Sequence, residues 1–176
     1  MTEKRHCAAP VEDVTTRKEQ RSTTKELTPA GRLVATRLHD VIGYQIAQAS
    51  IATLALYQRA AGAPLALRPV EYTMLVLLNE NPGGTAARLA RALAVSAPNM
   101  TMWLEKLQRR DLVRREASES DRRSQHLYVT EKGRKLANEA TRRVIEAERH
   151  AFSHLSVGER AILVELLRKL ALKRSD

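Results

Sequence analysis

A mainly α-helical fold with one small β-hairpin is what the sequence predicts, on three observations. Apolar residues recur every three or four positions through most of the chain. Aromatic residues are only 3% of it, with one Trp and one Phe, so the core must be assembled from Leu, Val, Ile and Ala, which suits closely spaced helices better than stacked sheets. Two short segments, Leu112 to Arg115 and Leu127 to Thr130, interrupt the helical pattern and flank a loop carrying Asp121, Arg122 and Arg123, as the strands of a hairpin would.

A length of 176 residues with 43% hydrophobic content is enough for one compact domain with a core. Residues 1–27 are polar, mixed in charge and poor in large apolar side chains, so they are expected to form a flexible tail ahead of an ordered domain over 28–176. At Thr28-Pro29 a hydroxyl can accept from free helix amides, and a Pro in the first turn forfeits no donor. From there Val34, Leu38, Val41, Ile42, Ile46, Ala49, Ala52 and Leu56 predict one very long helix to Gly62, with Gly43 a point of bending. A stripe of that length calls for burial against a second copy of the chain.

The next helix is predicted from Pro69 to about Asn79, with Val70, Met74, Leu75, Val76 and Leu78 facing inward and Asn81-Pro82-Gly83-Gly84 ending it. Thr85 should cap a short helix to Leu93 that packs through Ala86, Leu89, Ala90 and Leu93. Ala94-Val95-Ser96 forms a tight turn, with Ser96 capping a helix from Ala97 to Arg110. On that helix Met100, Trp103, Leu104 and Leu107 share one side, while Pro98, Thr101, Met102, Glu105, Lys106 and Arg109 lie around the other. Trp103, inside an apolar stripe, reads as core. After the hairpin Thr130 caps a helix to about Phe152, and Ser156-Val157-Gly158-Glu159 is a capping box opening a last helix with Leu163, Leu166, Leu167 and Leu170 along one side. Residues 28–62 and 131–176 are therefore expected to be dimerisation helices, and 69–130 a winged helix-turn-helix.

The charge distribution names the class of partner. The chain is strongly basic at +10, and between Arg88 and Arg143 stand 14 Lys and Arg against 7 Asp and Glu, so this span alone carries +7. Cations gathered on one module are what a polyanion requires, and double-stranded DNA is the partner that fits this layout. The single cysteine, Cys7, can form no internal disulfide, and no apolar run reaches the roughly 18 residues of a membrane span; a cytoplasmic protein is expected. There is no Gly-rich phosphate loop, no HExxH and no Ser/His or Cys/His set, which argues against an enzyme, and no cofactor is implied.

In order and spacing, Thr85-Ala86-Ala87-Arg88-Leu89-Ala90, Val95-Ser96, Met100-Thr101, Leu107, Leu112-Val113-Arg114-Arg115, Asp121-Arg122-Arg123 and Leu127-Tyr128-Val129-Thr130-Glu131-Lys132-Gly133 resemble the MarR family of bacterial transcription regulators over most of residues 30–172. The resemblance implies homodimers with interlocked terminal helices, often repressors released by a small molecule, aromatic acids among them. It also implies a wing whose arginine enters the minor groove, here Arg123, with Asp121 orienting it, Arg122 near phosphate and Arg115 on the same wing. Two positions depart from the family pattern: Met102, where a basic residue is common, and Asp111, where a glycine commonly ends the helix.

For the reading helix the candidate DNA contacts are Ser96, Ala97, Pro98, Asn99, Thr101, Met102 and Lys106, with Asn99 and Thr101 offering hydrogen bonds and Ala97 and Pro98 apolar surface for thymine methyls. A symmetric dimer would read a palindrome with half-sites centred roughly 10 bp apart. Arg37, His39, Tyr44 and Tyr72 are the candidate effector contacts. His150 and His154, at i and i+4, are weak candidates for a metal-responsive variant, and a winged-helix adaptor docking on an acidic protein is the other alternative.

Overall fold

The computed structural model describes residues 26–117 and 125–173. The chain divides into two units, residues 1–45 and 46–176.

In the first unit the long N-terminal helix expected from Thr28 does not form. Leu27 and Val34 instead make an antiparallel bridge, with the Ala35 amide donating to the Glu26 carbonyl at 2.7 Å. Thr28 does cap, as its hydroxyl accepts from the Leu33 amide at 3.1 Å, but it closes a turn and not a helix. The reason is local: Gly31 and Arg32 both take positive φ, 76° and 49°, which reverses the chain and is incompatible with a right-handed helix. A short 3₁₀ turn at Thr36–Leu38 follows, and α1 begins only at Ile42. Gly43 therefore sits in the first turn of α1 and not in mid-helix.

α1 (Ile42–Tyr57) relaxes into a π-helical turn, Gln58–Gly62, which ends near the glycine expected to stop it. α2 (Pro69–Glu80) starts at the predicted proline, and Asn81 to Gly84 turn the chain, with Gly83 at φ 78°. α3 (Ala86–Leu93) is capped by Thr85, whose hydroxyl accepts from the Arg88 amide at 3.3 Å. Ala94, left-handed at φ 51°, makes the tight turn into α4 (Ala97–Arg109). β1 (Val113–Ala117) and β2 (Gln125–Val129) pair antiparallel, Val113 opposite Val129 and Ala117 opposite Gln125. α5 (Glu131–Ala151) is capped by Thr130 and α6 (Val157–Leu172) by the Ser156/Glu159 box, both as the sequence predicts. No helix among the described residues is long and apolar enough to cross a membrane.

The core lies between α2, α3, α4, the hairpin and the first half of α5. Met74 and Leu75 of α2, Met100, Leu104 and Leu107 of α4, and Leu112 and Leu127 at the hairpin base are excluded from water. Val70, Val76 and Trp103 pack against this cluster from partly exposed positions, so Trp103 is core, as read. The wing is not a free flap. Gly84 bridges to Leu127, the Gly83 amide donates to the Leu127 carbonyl at 3.1 Å, and the His126 ring meets the Gly83 carbonyl at 2.8 Å, so the α2–α3 turn holds β2.

Asp111 takes a left-handed conformation, at φ 55°, with its carbonyl accepting from the Thr130 hydroxyl at 2.8 Å. The helix end is thus kept, at the expense of backbone strain. Asp111→Gly is expected to raise stability by about 1 kcal/mol, because relief of about 1–2 kcal/mol of strain outweighs the extra unfolded-state entropy of glycine. Thermal unfolding should show an increase of about 2–4 °C.

Candidate nucleic-acid interface

Position of α4 follows from its two faces. Met100, Leu104 and Leu107 are buried, which turns Ser96, Ala97, Pro98, Asn99, Thr101 and Met102 outward, all exposed. Ser96 occupies the N-cap position but its side chain makes no capping hydrogen bond, so that detail of the sequence reading is corrected. Pro98, without an N–H, sits in the first turn. Ser96, exposed and not engaged as a cap, stands at the positive end of the helix dipole, where anions are favoured. Arg88 and Arg91 on α3 are exposed, adding positive charge to the module.

Lys106 is placed differently from its neighbours. Its Nζ lies 2.7 Å from Oε1 of Glu71, a carboxylate on α2 with no solvent exposure. Glu71 Oε2 accepts from the Arg68 amide at 3.0 Å and lies 3.6 Å from Arg110 Nη1. Arg110 also donates to the carbonyls of Ala66 at 2.8 Å and Leu65 at 3.4 Å, and its own carbonyl accepts from Lys132 at 2.9 Å. Burial raises the Glu71 pKa, but the Lys106 pair, the Arg68 amide and the Arg110 charge together outweigh it and hold the carboxyl below its usual 4.5. A depressed carboxyl stabilises the fold fully above that ordinary value and ceases to do so as pH falls through the lower, folded one. Chemical unfolding titrated downward from pH 5 is therefore expected to show a loss of stability in the native chain that Glu71→Gln flattens. Glu71 and Arg110 escape a sequence reading because their partnership spans elements far apart in the chain; the only local trace is an acid in the first turn of α2.

On the wing, Arg115 is half-buried and donates to Gln125 Oε1 at 3.1 Å across the hairpin. Arg114 lies over the Tyr128 ring at 4.7 Å and pairs with Glu116. Asp121, Arg122 and Arg123 join the strands and lie outside the described residues, as does Cys7.

Among the effector candidates, Arg37 and His39 are exposed in the first unit, and His39 Nδ1 stands 3.8 Å from Glu26. Tyr44 is half-buried in the same unit. Tyr72, in the second unit, shares a 2.9 Å hydrogen bond with the Thr141 hydroxyl and packs against Tyr57 with ring centroids 5.7 Å apart. Tyr57 itself donates to the Leu67 carbonyl at 3.0 Å, and burial, with the neighbouring Tyr72 and Glu71, pushes its pKa up to about 12. Thr141 also lines a recess of about 340 Å³ between α2 and α5, whose one cation, Arg142, is already paired with Glu139 and Glu146.

The histidine pair is corrected. α5 ends at Ala151, so His154 lies beyond the helix, edge-on to Phe152 at 6.4 Å, and the i, i+4 geometry that would aim both imidazoles at one ion is lost. No cluster of three or more potential metal ligands occurs among the described residues.

Comparison with known proteins places this geometry. The MarR family model matches residues 67–125, from the loop ahead of α2 to the first residue of β2. The HTH-type transcriptional repressor Rv2887 of Mycobacterium tuberculosis is 34% identical over 111 residues, 63% of this chain and 80% of that protein. Its crystal structure, described as a MarR family protein in complex with p-aminosalicylic acid, aligns with a TM-score of 0.60 at 30% identity, over 74% of this chain and 98% of that one. The transcriptional repressor CouR, bound to a 23-mer DNA duplex, aligns with a TM-score of 0.73 at 31% identity, over 79% of this chain and 98% of that one. With a relative 34% identical over 80% of its length and the family model matched across the helix, helix and hairpin segment, the chain belongs to the MarR family, whose members are winged-helix, DNA-binding transcription regulators and not enzymes.

Proposed function

We propose that the protein is a homodimeric transcriptional repressor that binds a palindromic operator and leaves it when a small aromatic acid binds. The observation that carries the reading is the outward N-terminal half of α4, where Ser96, Ala97, Pro98, Asn99, Thr101 and Met102 stand exposed within the span Arg88 to Arg143, which holds +7 of the chain's charge, in a fold shared with the DNA-bound repressor CouR. Asn99 and Thr101 carry the hydrogen bonds to base edges or phosphate, and Ala97, Pro98 and Met102 the apolar contacts. The wing residues Arg115, Asp121, Arg122 and Arg123 serve the adjacent minor groove, where a guanidinium suits a narrow, negative cleft.

The dimer is supported by the outer faces of the terminal helices. α6 buries none of its side chains within one chain, yet Leu163, Leu166, Leu167 and Leu170 lie along it, and Ile51 and Leu54 of α1 are exposed as well. The effector class is supported by Rv2887, whose crystals hold salicylic and p-aminosalicylic acids. Arg37 is the candidate that supplies a cation for such a carboxylate.

Selection of duplexes from a randomised pool, followed by anisotropy titrations against a scrambled competitor at several salt concentrations, tests the reading. A selected palindrome bound at least a hundredfold more tightly than its scrambled form, and released by salicylate, is the expected result. Equal affinity for both duplexes overturns it and leaves docking on an acidic protein as the use of the basic face. Arg123→Ala is expected to weaken binding to the selected duplex by roughly 5- to 150-fold, the range of about 1–3 kcal/mol for a good bidentate contact, with helicity unchanged.

A further inference from the structure

Most of what holds α4 against its module is apolar: Met100, Leu104 and Leu107 sit in the core. Such contacts settle which side of a helix faces inward but, being non-directional, set its tilt and rotation loosely. The charged contacts are at the far end. Lys106 and Arg110 stand one turn apart on α4 and its C-cap, and both converge on Glu71, at 2.7 and 3.6 Å, with that carboxylate fully enclosed. Glu71 is fixed in turn by the Arg68 amide at the start of α2, where the helix dipole favours a negative charge. Arg110 extends the grip to the Leu65 and Ala66 carbonyls of the preceding loop.

From this geometry we infer that Glu71 is a positioning residue for DNA reading: it captures Lys106 and Arg110 and so sets the pose of α4, and Lys106, although on the reading helix, does not contact phosphate. The inference rests on the DNA-binding reading above. Asn99 lies seven residues from Lys106, about 10 Å along the axis, so a tilt of about 10° at the pivot displaces the reading end by roughly 2 Å. That exceeds the tolerance of a base-edge hydrogen bond. Discrimination between sequences then depends on a carboxylate that never touches the duplex.

The experiment uses the full chain and two probes, a duplex the length of CouR's 23-mer selected by the wild-type protein and a scrambled duplex of the same composition. Affinities for both are measured across a salt series with Glu71→Gln, Lys106→Met and Lys106→Arg, each normalised to its active fraction. Glu71→Gln and Lys106→Met are expected to lower the ratio of the two affinities at least tenfold, and Lys106→Arg, which keeps the cation, to restore most of it. A role confined to stability would lower the melting temperature and leave the ratio alone. Lys106→Met is also expected to leave the slope of log affinity against log salt unchanged, because no phosphate contact is lost. If Glu71→Gln fails to fold, the two Lys106 variants decide. The inference is overturned if the ratio stays within twofold of wild type, or if Lys106→Met makes the slope shallower by about one, the mark of a direct phosphate ligand. Absence of any preference in the wild-type protein would instead remove the DNA-binding reading itself.

Discussion

Gly133→Ala is expected to lower the melting temperature by about 5–15 °C, as about 2–4 kcal/mol of overpacking at roughly 2–4 °C per kcal/mol implies for a chain of this size. A Cβ at this position would overlap the Leu112 carbonyl oxygen and stand 2.8 Å from Val129 Cγ1. The first of these is backbone, and it is engaged, since the Leu112 carbonyl accepts from the Thr130 amide at 3.1 Å. It cannot step aside without pulling the α4–β1 junction away from the start of α5. The gain of about 1 kcal/mol in helix propensity from Gly to Ala is too small to offset this. Gly158→Ala in α6 is the matched control: nothing lies within 4 Å of its added methyl, so a small rise is expected. Circular dichroism melts of the two variants check the pair, and an unchanged Gly133→Ala would mean that the close approach of Leu112 to α5 is wrong. The glycine that closes the Leu127 to Gly133 motif thus has a steric cause in this chain.

Leu163→Asp/Leu167→Asp is expected to convert the proposed dimer into a folded monomer and to reduce affinity for the selected duplex by a factor of about 10²–10⁴, the advantage that linking two half-site contacts confers. Both leucines are on one face of α6 and nearly half exposed in the single chain, at 46% and 42%, so their replacement removes little from the core of one subunit. Two buried carboxylates facing their symmetry mates would face desolvation and like-charge repulsion at once. Ultracentrifugation reports the mass, circular dichroism the retained helicity, and anisotropy the affinity. A dimer that persists, or a monomer that binds the palindrome as tightly as before, would show that α6 is not the clasp.

Features set by short-range chemistry were legible in the sequence. Thr85, Thr130 and Ser156 cap their helices because a hydroxyl and a free amide three residues on are local partners, although Ser96, with the same arrangement, makes no such bond. Pro69 opens α2 and the Asn81 to Gly84 turn closes it for equally local reasons. The errors came where periodicity was trusted beyond its reach. Apolar spacing runs on through residues 34–42, but the left-handed pair Gly31 and Arg32 and the Leu27–Val34 bridge claim the backbone first. At the other end, α5 stops with its C-cap at Phe152, so His154 is off the helix and its i, i+4 spacing from His150 carries no helical geometry.

Within the interface, the outward side of α4 was readable since three buried positions of a helix determine the other face. The pairing of Lys106 was not. Nothing near it in the chain points to Glu71, 35 positions earlier, as its partner. The hydrogen bond of Tyr72 to Thr141, 69 positions away, was likewise invisible in the sequence.

By itself the sequence determined the element types, most of their ends, the basic module and the family, because caps, turn residues, helical spacing and local charge act over a few positions. Only the tertiary structure decided which cations pair with a buried carboxylate, which glycine is pinned by a neighbouring backbone and where the N-terminal helix starts. Each of those depends on groups distant in the chain meeting at 2.7–3.6 Å, or on a turn competing with a helix, and no periodic pattern encodes such an encounter.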